Sequence, residues 1–80
     1  MAVKLVFLGK LADLAGAPEK DVQGPLDWSG LLEALHGPLG EAVQDRRIRL
    51  AVNGQVLPDK GALAAADGDE IALLPPVSGG

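Results

Sequence analysis

The sequence predicts an α+β domain, a mixed sheet of about five strands curled around one main helix. Three observations predict it. The most apolar short runs, Val3 to Leu8 and Glu70 to Leu74, lie near opposite ends of the chain and read as strands that pair in the middle of the sheet. Between them, Trp28, Leu31, Leu32 and Leu35 fall at i, i+3, i+4 and i+7, which is one apolar stripe on a helix. Asn53-Gly54 then separates two further apolar runs, and both residues tolerate the positive φ of a tight hairpin turn.

Each element follows from local chemistry. Val3 to Leu8 is rich in β-formers and reads as a central strand buried on both faces, ended by Gly9. Leu11, Leu14 and Ala15 recur at helical spacing, so Lys10 to Ala15 reads as one or two helical turns with Gly16 as the C-cap. Glu19 to Gln23 is a weaker strand, flanked by Pro18 and Gly24-Pro25 and expected at or near an edge. Asp27 can accept a hydrogen bond from the free N–H groups that start the main helix, and Gly37-Pro38 is expected to stop it. Leu39, Ala42 and Val43 suggest a second short helical segment. Leu50 to Val56 carries the hairpin, Leu57 to Ala66 reads as a loop holding a turn of helix, and Asp67-Gly68-Asp69 turns the chain into the last strand. Pro75-Pro76 ends that strand, because proline has no N–H to donate to a ladder. The domain is therefore expected over 1–74 and an extended tail over 75–80. A mixed sheet curled around one helix in this order is the β-grasp, the ubiquitin-like arrangement.

Composition narrows the function. With 80 residues the chain holds one domain, and with 48% hydrophobic but only 2% aromatic residues its core must be aliphatic. So small a domain buries only about 60% of its unfolded surface, which leaves little room for a deep private active site. The net charge of −4 argues against a nucleic-acid partner. There is no cysteine, which excludes disulfides, thiolate nucleophiles and cysteine metal sites. Nothing reads as a signal peptide and no apolar stretch is long enough to span a bilayer, so no membrane partner is expected and the expected location is cytoplasmic.

No catalytic or metal constellation assembles in the sequence. His36 is alone near a helix end, where its charge suits the helix dipole. Asp67, Asp69 and Glu70 lack the calcium-loop spacing and read as a solvated turn. Ser29 and Ser78 have no neighbouring base. Asp13, Glu19 and Asp21 read as an exposed acidic face, and Gly37-Pro38-Leu39-Gly40 does not match a phosphate loop. Arg46, Arg47 and Arg49 can bind an acidic partner or a phosphate, but read first as a solvated segment leading into a strand, with Arg49 on the outer face.

The tail fits one physical task. Pro75 to Gly80 can reach roughly 20 Å from the domain. Pro75 and Pro76 stiffen its base, Val77 and Ser78 are small, and no side chain in it is charged. Gly79 and Gly80 lack a Cβ and can thread a channel too narrow for other residues. A terminal carboxylate is a poor electrophile, because its own charge repels nucleophiles. Activation by ATP to an acyl-adenylate, then attack by sulfur, would leave a thiocarboxylate on Gly80.

The closing run Asp67-Gly68-Asp69-Glu70-Ile71-Ala72-Leu73-Leu74-Pro75-Pro76-Val77-Ser78-Gly79-Gly80 resembles the signature of the MoaD family, the small subunit of molybdopterin synthase (molybdopterin-converting factor subunit 1) in the MoaD/ThiS superfamily. Val3 to Gly16 and Ala51-Val52-Asn53-Gly54 support the resemblance. It implies a β-grasp sulfur carrier of molybdenum cofactor biosynthesis, non-catalytic by itself and part of a transferase complex. An E1-like adenylating enzyme of the MoeB type would use ATP to adenylate Gly80, and a sulfur-donor enzyme would supply the thiocarboxylate sulfur. The tail Pro75, Pro76, Val77, Ser78 and Gly79 would then enter the large synthase subunit, in a heterotetramer of two small and two large subunits. There Gly80 would give its sulfur to cyclic pyranopterin monophosphate (precursor Z). The resemblance implies no stably bound cofactor, no metal and no catalytic residue in this chain. It points to Leu74 and Phe7 as partner-docking residues, with burial of Leu74 in its own core as the alternative. The family often carries aromatic residues where this chain has Leu73 and Leu74, and an Arg where it has Ala12. Competing readings are a thiamine-type ThiS carrier, a ubiquitin-like modifier joined to lysines through Gly80, and a plain interaction module.

Overall fold

Strand β1 (Ala2–Phe7) alternates strictly: Val3, Leu5 and Phe7 are buried while Ala2 and Lys4 are exposed. The computed structural model describes residues 2–35 and 37–76. Chain order continues with α1 (Lys10–Ala15), β2 (Glu19–Gln23), β3 (Leu26–Asp27), α2 (Trp28–Ala34), α3 (Gly37–Ala42), β4 (Arg49–Val52), β5 (Gln55–Val56), a 3-10 turn at Lys60–Ala62, β6 (Ala64–Ala65) and β7 (Glu70–Leu74). Five strands form one sheet in the order β2-β1-β7-β4-β5. The two central strands, β1 and β7, run parallel with Leu5 opposite Ile71 and Phe7 opposite Leu73. The other pairings in this sheet are antiparallel. This is the ubiquitin-like β-grasp, with the first and last strands paired in the middle as their apolar character predicts and β2 at the edge.

One expectation is corrected. The central strand is not buried on both faces. Side chains alternate across a strand, and only the face carrying Val3, Leu5, Phe7, Leu50, Ile71 and Leu73 is covered. Leu11, Leu31, Leu35, Leu39 and Val43 from the helical layer fill that face. The opposite face, with Lys4, Val6, Glu70, Ala72 and Leu74, has no layer over it among the described residues. Short apolar runs look alike whether one face or two are covered, because Val6 and Ala72 are apolar on the open side.

The local signals act as the sequence predicts at most joints. The Asp27 carboxylate accepts from the Gly30 N–H at 2.8 Å and caps α2. Gly16 adopts the left-handed conformation, φ 77°, and its N–H closes α1 onto Ala12. Asn53 at φ 50° and Gly54 at φ 87° form the turn between β4 and β5. Gly37-Pro38 does more than stop α2: it opens α3, where a proline early in a helix costs no hydrogen bond. The pairing of β3 with β6, Leu26 opposite Ala65, was not foreseen. Two-residue strands carry no periodicity to read.

Candidate functional site: the root of the C-terminal tail

Because β7 is a central strand, its end is a rigid platform from which the tail departs. Leu73 is fully buried opposite Leu50 and Phe7. Leu74, the next residue, points to the other face opposite Arg49 and is half-buried. Of the two alternatives for Leu74, core burial falls to Leu73, and Leu74 keeps open apolar area. Phe7 is 2% exposed on the inner face. The docking role expected of it does not fit this placement, since its odd position in β1 puts it with Val3 and Leu5 in the core.

The loop after β1 holds the start of the tail. The Leu8 N–H donates to the Leu73 carbonyl at 3.4 Å. Gly9 follows at φ 57°, and a Cβ there would lie 3.3 Å from Cγ of Pro75. A side chain at residue 9 would therefore meet the tail as well as strain the backbone. Pro75 is half-buried and Pro76 exposed. Both line an open groove of about 700 Å³, together with Lys10, Leu14, Arg47 and Ile48. Leu14 is 47% exposed and forms an apolar knob on its wall. Val77, Ser78, Gly79 and Gly80, the residues expected to carry the chemistry, lie outside the described residues, as does His36.

The side chains near this root are held by identifiable bonds. Arg47 donates twice to the Asp45 carboxylate, at 3.2 and 3.0 Å, and its N–H adds a third bond. These bonds hold the Asp45 carboxyl at about 2 and push the Arg47 guanidinium up. Sequence reading missed Lys60. Its ammonium donates to the carbonyls of Val43, at 2.8 Å, and Asp45, closing the end of the α3 segment, and it sits 5.4 Å from the centre of the Trp28 ring. Burial lowers its pKa. No local pattern announces a lysine whose partners are fifteen or more residues away.

The acidic turn before β7 is a structural tie. Asp69 accepts from the Ala66 N–H at 2.9 Å and from the Asn53 amide at 3.1 Å, which lowers its pKa. Asn53 in turn accepts from the Glu70 N–H at 3.0 Å. Among the described residues no group of three His, Asp or Glu side chains is placed to hold a metal, and no helix is long and apolar enough to cross a membrane.

A profile of the ThiS family matches residues 5–80, a span that runs from β1 through the tail. The chain belongs to the ThiS family. Solved structures agree. The crystal structure of small archaeal modifier protein 1 (SAMP1) from Haloferax volcanii shares 30% identity with full coverage of both chains and a TM-score of 0.69. The protein–protein complex of subunits 1 and 2 of the Helicobacter pylori molybdopterin-converting factor shares 26% identity, again with full coverage of both chains and a TM-score of 0.69. The solution structure of SAMP1 from Methanosarcina acetivorans shares 27% identity over 99% of this chain and 96% of that one, with a TM-score of 0.72. A search of curated proteins gives no match. The domain thus falls in the ThiS/MoaD-type ubiquitin-like sulfur-carrier family, a family that is not catalytic in itself.

Proposed function

We propose that this ThiS-family domain carries sulfur on Gly80 for molybdenum cofactor biosynthesis. The observation that carries the reading is the family match continuing through Pro75-Pro76 to Gly80, on a tail rooted in the central strand β7. In the first step the Gly80 carboxylate attacks the α-phosphate of ATP on an E1-like adenylating enzyme. A P–O bond forms, pyrophosphate leaves, and the acyl carbon gains AMP as a leaving group. Hydrosulfide released by a donor enzyme then attacks that carbon, the bond from the acyl carbon to AMP breaks, AMP departs, the S–H proton is lost to solvent, and a thiocarboxylate remains. Gly79 and Ser78 are slim enough to follow Gly80 into a partner's channel, and Pro75 and Pro76 hold the tail extended at its exit. In the large synthase subunit two such thiocarboxylates, one for each sulfur of the molybdopterin dithiolene, pass their sulfur to cyclic pyranopterin monophosphate, and water returns each Gly80 to its carboxylate. Similarity to subunit 1 in the H. pylori complex supports a large-subunit partner. The half-buried Leu74 offers apolar docking area beside the tail.

A second reading is supported by the 30% identity to a small archaeal modifier protein: Gly80 joined to lysines of other proteins. A thiamine-type carrier is the reading nearest the family's own name. Reconstitution separates them. Deleting Gly80 abolishes molybdopterin formation in an assay with large subunit, adenylating enzyme, ATP and a sulfur source, while circular dichroism shows an intact fold. Full activity of the Gly80-deleted chain overturns the carrier reading.

A further inference from the structure

The chain is acidic overall, yet its positive charge gathers where the tail begins. Lys10 and Arg47 line the groove that holds Pro75 and Pro76. Arg49 stands directly across the ladder from Leu74 on the open face of the sheet. Arg46, Arg49 and Lys60 border one shallow hollow beside it. Four of the chain's seven cationic residues, Lys10, Arg46, Arg47 and Arg49, thus surround one end of the sheet. Of these four only Arg47 is in an ion pair among the described residues, with Asp45. Asp59 also borders the hollow, and its carboxylate accepts from the Gly61 N–H. On the face nearby, Val6, Ala72, Ala51 and Val56 form one apolar row across four strands; Val6 and Ala72 are half-buried, Ala51 is buried and Val56 is 56% exposed. A cation at the rim of an apolar face, with no ion-pair partner among the described residues, can select a partner by charge.

We infer that Lys10 and Arg49 form a basic collar at the tail root that docks an acidic surface around the tail-entry channel of the enzyme that activates Gly80. The tail continues β7 without a linker, so an enzyme that takes up Gly80 within roughly 20 Å of this root also covers the collar. Activation is the step common to sulfur transfer and to conjugation, so the same occupant serves both. The inference rests on the reading that Gly80 is activated by ATP. Collar charges steer the encounter and fix the register of the tail, leaving the chemistry to the enzyme.

The test is carrier-dependent ATP–pyrophosphate exchange with the purified E1-like adenylating enzyme from the same source. Arg49→Glu raises the KM for the carrier about tenfold with kcat within about twofold, and Lys10→Glu with Arg49→Glu raises it further. Raising the salt from about 0.05 to about 0.5 M weakens the wild-type protein, and the double variant shows a flatter salt dependence. Lys20→Glu, the same charge change on the outer strand β2, leaves KM near wild type. Arg49→Gln keeps the test open if charge reversal disturbs the strand. Wild-type exchange with an unchanged KM for the double variant, or an equal rise from Lys20→Glu, overturns the collar and leaves the activation reading standing. Absence of exchange by the wild type overturns the activation reading and the collar with it.

Discussion

Adjacent leucines at the end of β7 should differ sharply in what they support. Leu73 is fully buried, facing Leu50 and Phe7 across the ladder, whereas Leu74 is half-buried on the open face. Leu73→Ala trims that side chain to a methyl. At about 0.8 kcal/mol per buried carbon the transfer loss is about 2.4 kcal/mol, and the cavity left in the sheet–helix core raises the cost to about 3–5 kcal/mol. A chain of 80 residues holds only about 4–12 kcal/mol in total. The melting temperature therefore falls by at least about 12 °C. Leu74→Ala loses part of one exposed face and costs about 1 kcal/mol, while it weakens association with the tail's partners. Urea unfolding with a common m-value measures both. Equal costs, or a larger cost for Leu74, would refute the register, because a slip of one residue exchanges the two faces.

Asn53→Val should lower the melting temperature by about 5 °C or more, since a β-branched residue resists φ 50° and cannot bond to Asp69 or to the Glu70 N–H. Asn53→Gly, which keeps the turn geometry, should cost less, and an unchanged melting point for the valine variant would count against the turn. Lys60→Met leaves the Val43 and Asp45 carbonyls without their donor and should cost about 1–3 kcal/mol by urea unfolding; a neutral result would show that water replaces the ammonium at no cost. Asp45 and Asp69 both have carboxyls held below the ordinary value of 3.8 in the folded state. Their contribution is therefore complete above that value and is lost as pH falls below it, for Asp45 towards about 2. Denaturation midpoints should drop across this window, and Asp69→Asn should make the drop shallower; an identical slope in the variant would show that Asp69 is not linked to folding.

The parts legible in the sequence were those set by local rules. Asn53-Gly54 fixed a turn, Asp27 a cap and Gly16 a helix end, because each acts on backbone groups a few residues away. The pairing of β1 with β7 was legible from composition, since the strands richest in apolar residues belong in the middle of a sheet. What stayed hidden depends on distant partners. Phe7 and Leu74 both lie on apolar strands, and only the register decides that one faces the core and the other the open side. Lys60 looks like any surface lysine until α3 and Trp28 are brought beneath it. The clustering of Lys10 with Arg49 needs the fold, because 39 positions separate them in the chain. The tail is the reverse case: its reading rests on residue types alone, two prolines followed by small residues and two glycines, and Val77 to Gly80 lie outside the described residues.

The central claim concerns Gly80, and the mass of the intact protein tests it most directly. Protein isolated from its native cells, under conditions that protect thioacids, should contain a species heavier by one sulfur-for-oxygen exchange, with the change mapped by fragmentation to Gly80. Addition of large subunit and cyclic pyranopterin monophosphate should return that species to the carboxylate mass. A single carboxylate species in the native cell, with the rest of the protein found as lysine-linked conjugates of higher mass, would contradict the carrier account.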